Sequence, residues 1–230
     1  MIAFAVLLVL VTLVLPMRGL IRSRRRWHPT SFVPSVIEYA VLLALLVYAA
    51  QQTHVGRTSF GLTLPPRVQD VCWSLLFSAI MIGVDHYAFV QAARKRRQKR
   101  LQGLQVDEVL SIRFSVTPWI NSTCVIIYCS LSAIWEETIF RGGAFYLTRL
   151  AGLPIIVAVG LGSLLFSLNH ASGGRQQMLY SFVLGCLFAV AFHMSDSLWA
   201  VVVAHAIGNA YVLLHSRPNL KGIQDATLFH

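Results

Sequence analysis

Two adjacent carboxylates and a guanidinium lie inside an apolar stretch, Ala133-Ile134-Trp135-Glu136-Glu137-Thr138-Ile139-Phe140-Arg141. Charges in a segment that reads as membrane-buried are costly and persist mainly where they pair or serve function. On a helix, Glu137 and Arg141 are four residues apart and share a face, so they can pair. Glu136 points about 100° away from Glu137 around the helix axis. One carboxylate can therefore be structural while its neighbour stays available for chemistry. Three further polar residues stand in later apolar runs. His170 closes Phe166-Ser167-Leu168-Asn169-His170, and His205 and Asn209 are four apart on one helix face. Taken singly, each is explained by a hydrogen bond to a neighbouring helix. Taken together, a Glu, two His and an amide admit two chemistries. Glu136, His170 and His205 are candidate ligands of a metal such as zinc, with a water in an open position. Alternatively Glu136 and His170 activate a water as general base without metal, while His205 and Asn209 donate to a developing oxyanion. Both end in hydrolysis of an amide bond. HExxH, GxSxG and Gly-rich phosphate-loop patterns do not occur, so soluble-type zincin, serine-hydrolase and P-loop chemistry have no support.

The elements that must hold these groups are helices in a membrane. The chain has 230 residues, 56% of them hydrophobic and only 12% charged. Its mean hydropathy is +0.65. Soluble domains carry about 25% charged residues, so the composition predicts an all-α, polytopic transmembrane helical bundle of about seven spans. The apolar runs are Ile2–Leu15, Ser35–Ala50, Val71–Ala93, a fourth span entered at Pro118 and Trp119, Leu153–Leu168, Met178–Phe192 and Ser197–Leu214. The segment from Pro118 to Leu150 is too long for one straight span, and Gly142-Gly143 is the expected break. With a turn near Ala151, Glu136 is 15 residues before it and His170 is 19 after it. An antiparallel pair would hold them within roughly one helical turn of the same depth. A second turn near Ser195 puts His205 about 15 Å along the last span.

The net charge of +10 is concentrated in two clusters, Arg18 to Arg26 and Arg94 to Arg100, each beside an apolar run. The positive-inside rule then puts both clusters and the C-terminus in the cytoplasm, with anionic lipid headgroups as partners. No aromatic residues interleave with the basic runs, which argues against nucleic acid. Cys72, Cys124, Cys129 and Cys186 lie in apolar segments without CxxC spacing and read as free thiols. The N-terminal run reads as a retained anchor helix. Asp85 and His86 are expected to partner Arg94 or the interface, His193, Ser195 and Asp196 to form a turn, and His54 and His215 to be loop or end residues. Residues 101–117 read as an interfacial helix or linker.

The motifs Glu136-Glu137-xxx-Arg141, Phe166-xxx-His170 and His205-xxx-Asn209, in that order, resemble those of the CPBP family of intramembrane proteases (CAAX proteases and bacteriocin-processing enzymes, also called the Abi family). The resemblance covers about Pro118 to Leu214. It implies a catalytic helical core over 118–214, preceded by transmembrane helices and basic loops over 1–117 and followed by a tail, 215–230. It further implies that Glu136 and His170 activate the water, that His205 and Asn209 bind the oxyanion, and that Glu137 and Arg141 support the helix. The family is described as metalloproteases and also with a metal-free glutamate mechanism, so both chemistries stay open. The expected substrate is a hydrophobic or lipidated peptide, and the expected location a bacterial cell membrane. The rival from another class is a non-catalytic binding or immunity protein using the same cavity. A small transporter is a weaker rival, because the chain shows no pair of matching halves with broken helices.

Overall fold

A computed structural model describes residues 56–62, 65–102, 118–171 and 174–215, with further helical residues between 37 and 51. The expected first span, most of the 101–117 stretch and the C-terminal tail lie outside the described residues. Among the described residues the chain is all helical. A 3-10 turn, Arg57–Phe60, precedes α1 (Val68–Leu101). Then come α2 (Pro118–Glu137), a π-helical turn (Thr138–Gly143), α3 (Ala144–Leu150), α4 (Ile155–Asn169), α5 (Gly174–Ser195) and α6 (Leu198–His215). Three stretches are long and apolar enough to cross a membrane: Val68–Ala88, Thr123–Leu150 and Gly174–Ser195. The helices α4 and α6 are apolar and shorter.

The helix that carries His205, α6, packs against both α1 and α2, while α4 pairs with α5 and also meets α3 and the π turn. Around this interior the exterior is apolar: Leu75 and Ile80 on α1, Ile156 and Leu161 on α4, and Leu179 and Val183 on α5 are all exposed. An apolar exterior around buried charges is the surface expected of a helical bundle in lipid. In lipid every polar group needs an internal partner. Ser74 and Ser78 accordingly donate to the carbonyls of Asp70 and Ser74, at 2.7 and 2.6 Å. Small residues let the helices close up, as in other membrane bundles. A Cβ at Gly162 would lie 2.5 Å from the Phe140 carbonyl oxygen, and one at Gly185 would lie 2.9 Å from Ser163.

The long Pro118–Leu150 segment does not break at Gly142-Gly143. It stays helical and widens into the π turn, which both glycines close. At its entry Thr138 donates its hydroxyl to the Ile134 carbonyl at 2.6 Å, a side-chain bond that competes for the helical ladder. Gly142 serves close approach here, because a Cβ would meet the Phe60 ring at 2.9 Å. The wide turn directly follows the two carboxylates, and π turns inside helices gather at functional sites.

The remaining turns fall where they are expected, near Ala151 and Ser195. The chain reverses after α3 at Gly152, with φ +65°, and after α5 at Asp196, with φ +46°. Ser195 is buried in the second turn, where its hydroxyl donates to the Ala191 carbonyl at 2.8 Å. His193 and Asp196 are exposed beside it. The four cysteines are free, and of these only Cys129 is buried.

Candidate active site

The carboxylates of Glu136 and Glu137 diverge as helical pitch requires. Glu137 is fully buried, and its Oε1 accepts from Arg141 Nη1 at 3.0 Å. The same oxygen faces His205 Nδ1 from α6 at 2.6 Å. A carboxylate can only accept, so Nδ1 of His205 carries the hydrogen and Nε2 is left to act. Arg141 is equally buried and also donates to the Gly185 carbonyl on α5 at 3.4 Å. Glu137, Arg141 and His205 thus tie the π-turn segment to α5 and α6. A buried pair of this kind holds only while its hydrogen bonds are made.

Aromatic rings wall this network. The guanidinium of Arg141 lies 4.5 Å from the centroid of Phe166 and 5.3 Å from that of Phe188. His205 stacks on Phe188 with centroids 5.1 Å apart and meets the edge of Phe166 at 5.8 Å. The ring of His170 lies 4.6 Å from Phe166. Phe166 therefore stands between the arginine and both histidines. Its identity four residues before His170 has a packing reason.

Glu136 points to another side of α2. Its Oε1 faces two donors, Ser132 Oγ at 3.4 Å and Asn169 Nδ2 at 3.5 Å. Among the described residues its Oε2 has no hydrogen-bond partner, and it stands 3.7 Å from Nε2 of His205. His170 follows Asn169 at the end of α4. Its Nδ1 lies 2.9 Å from the Phe166 carbonyl, so that nitrogen is the donor and Nε2 keeps the lone pair in the neutral ring.

Of the six candidate residues, the fold brings Glu136, Glu137, Arg141 and His205 into direct contact, and puts His170 beside them through Asn169 and Phe166. Asn209 sits one turn past His205, half-buried, and among the described residues adds no hydrogen bond to the cluster. Both histidines present Nε2 with Nδ1 anchored, as zinc-bound histidines do. Yet among the described residues no three His, Cys, Asp or Glu side chains converge closely enough to hold a metal ion. The donor chemistry suits zinc; the convergence does not.

Ser132, Asn169 and Phe188 were not singled out as site residues from the sequence. Asn169 carried a signal, since an amide next to a membrane histidine is itself a polar group at depth. Asp85 departs from its expected place at the interface near Arg94. It is buried on α1 and accepts a hydrogen bond from Tyr180 of α5, while Arg94 is exposed. A Cβ at Gly208 would lie 3.3 Å from its Oδ2, so the α1–α6 contact is tight at this carboxylate. His86 pairs with the Tyr211 hydroxyl of α6 at 2.8 Å.

Residues 118–211 match the family model described as Rce1-like, type II CAAX prenyl endopeptidase Rce1-like. Over these residues the chain is similar to that family. The matched region contains the whole Glu136–Glu137–Arg141–His170–His205 arrangement, and it is consistent with a CPBP family intramembrane protease. Together with the three stretches long and apolar enough to cross a membrane, the match supports an integral membrane protein. Neither the curated proteins nor the solved structures give a match.

Proposed function

We propose that the protein is an intramembrane endopeptidase that hydrolyses a peptide bond of a hydrophobic or lipidated peptide, with Glu136 as the base. The observation that carries this reading is Oε2 of buried Glu136, unpartnered among the described residues and facing Nε2 of His205 across 3.7 Å, inside the Rce1-like region. In the reaction, Glu136 Oε2 takes a proton from water as the water oxygen attacks the scissile carbonyl carbon. His170, through its Nε2 lone pair, orients that water. The negative charge that develops on the carbonyl oxygen is met by Nε2–H of His205 in its imidazolium form, with the Asn209 amide as second donor. The proton held by Glu136 then passes to the leaving nitrogen as the C–N bond breaks. Glu137 and Arg141 hold His205 and the π turn in place and do not touch substrate. The apolar exterior of the bundle favours lipidated or strongly apolar segments as substrates.

The test compares wild type with Glu136→Gln at matched membrane levels, reading new peptide termini across membrane and secreted proteins. Reconstituted vesicles given a farnesylated peptide ending in a CAAX sequence provide a second readout. Termini that vanish in the variant establish the protease and identify its substrates. Identical termini would overturn catalysis in favour of a binding protein. Chelation with zinc analysis of the purified protein tests the metal: cleavage that persists without bound zinc is the expected result.

A further inference from the structure

The two oxygens of Glu136 are not equivalent. Oε1 faces a hydroxyl from its own helix, Ser132, and an amide from α4, Asn169, while Oε2 has neither. Ser132 is buried one turn before Glu136, so its hydroxyl approaches the carboxylate along the helix face. Asn169 is the last residue of α4 and half-buried. An amide can donate through Nδ2 or accept through Oδ1, and facing a carboxylate it must donate. Glu137 needs no such pair, because Arg141 and His205 already occupy its Oε1.

We infer that Ser132 and Asn169 are positioning residues that bind Glu136 Oε1 and thereby select Oε2 as the oxygen that takes the proton. The inference rests on Glu136 being the base. Without the two donors, the carboxylate is free to rotate about its last torsion, a broad and roughly two-fold one, and presents either oxygen or neither to the water. Asn169 has a second consequence. It is the residue before His170, so the amide that orients the base also registers the end of α4 against α2. The backbone that carries His170 is then set by the same contact. This arrangement couples the two groups that activate water.

The experiment measures kcat and KM of purified, vesicle-reconstituted protein on one cleaved peptide, with unfolding temperature in detergent as a control. Asn169→Ala is expected to lower kcat about tenfold with KM unchanged, as loss of one hydrogen bond to a charged group would. Asn169→Asp keeps the shape and replaces the donor with an acceptor facing Glu136. It should lower kcat more than Ala does, on the order of a hundredfold. A residue that only filled space would show the opposite order, with the isosteric Asp milder than Ala. Ser132→Ala should lower kcat by a few-fold and Ser132→Thr, which keeps the hydroxyl, should restore it. Asn169→Asp equal to or better than Asn169→Ala, or losses carried by KM, would overturn the inference. If Asn169→Asp does not fold, the Ser132 pair decides: Thr no better than Ala overturns it. Glu136→Gln runs alongside. Its retention of activity would instead sink the base assignment, which separates the two failures.

Discussion

Two ion pairs in this protein share a nitrogen–oxygen distance of 3.0 Å and a buried carboxylate, and differ in the exposure of the arginine. Arg141–Glu137 is buried on both sides, whereas in Arg67–Asp70 the arginine side chain is 40% exposed. This half-exposed pair, whose Asp70 is itself buried, stands at the start of α1. There Asp70 also accepts the backbone N–H of Arg67 at 2.8 Å, so the carboxylate caps a helix end and sits at the favourable pole of its dipole. Arg67 reaches on to the Asp196 carbonyl at 3.5 Å, and Arg149 approaches the Asp196 carboxylate at 3.7 Å with both side chains largely exposed. At this end water and salt weaken each attraction. In the interior the pair is fully buried among aromatic rings. The same distance there signifies a stronger attraction, a larger desolvation cost and a heavy penalty for losing one partner. Distance alone does not rank ion pairs; burial does.

Five changes would break or sharpen that contrast. Arg141→Ala leaves Glu137 charged and unpaired in the interior, and should destabilise the protein by about 3–5 kcal/mol, read by chemical unfolding in detergent. Replacing Glu137 and Arg141 together by apolar residues of similar volume should recover most of that stability while cleavage stays lost, because His205 has no anchor. A double variant as unstable as the single one would deny the pair its special status. Next in size, Gly162→Ala forces a methyl against the Phe140 carbonyl and should cost about 1–3 kcal/mol, visible as a lower unfolding temperature. Asp70→Asn should have a smaller effect on the same measurement, since the amide can still accept the backbone N–H. Arg149→Ala should change stability by about 0–1 kcal/mol, with cleavage unaltered. A loss at Arg149 as large as that at Arg141 would show that the end of the bundle is not the solvated cluster its exposure indicates.

The contrast also shows why part of the site was legible early. Glu137 and Arg141 are four apart in one helix, so their pairing follows from helical pitch, and the structure has it. The separate orientation of Glu136 follows from the same geometry. The turns expected near Ala151 and Ser195 are both present. The apolar runs from 68 onward became helices because a membrane chain must satisfy its backbone internally. Gly142-Gly143 misled for a reason. Glycine marks either a break or a close approach, and the sequence does not say which until Phe60 is seen against it. Asp85 misled because its basic neighbours were visible in sequence and Tyr180, 95 positions away, was not.

What the sequence by itself determined is therefore local and periodic: the helices, the Glu137–Arg141 pair, and the divergence of the two carboxylates. These depend on a rise and a pitch that every residue in a helix shares. What only the tertiary structure decided is which side chains from other helices meet them. Asn169 on Oε1 of Glu136, His205 on Glu137, and Phe166 and Phe188 against Arg141 depend on how helices separated by tens of residues are rotated and spaced. Those rotations are set by side-chain interlocking, including contacts as small as the missing Cβ of Gly162 and Gly185, which is a property of pairs of surfaces and not of any one stretch of chain.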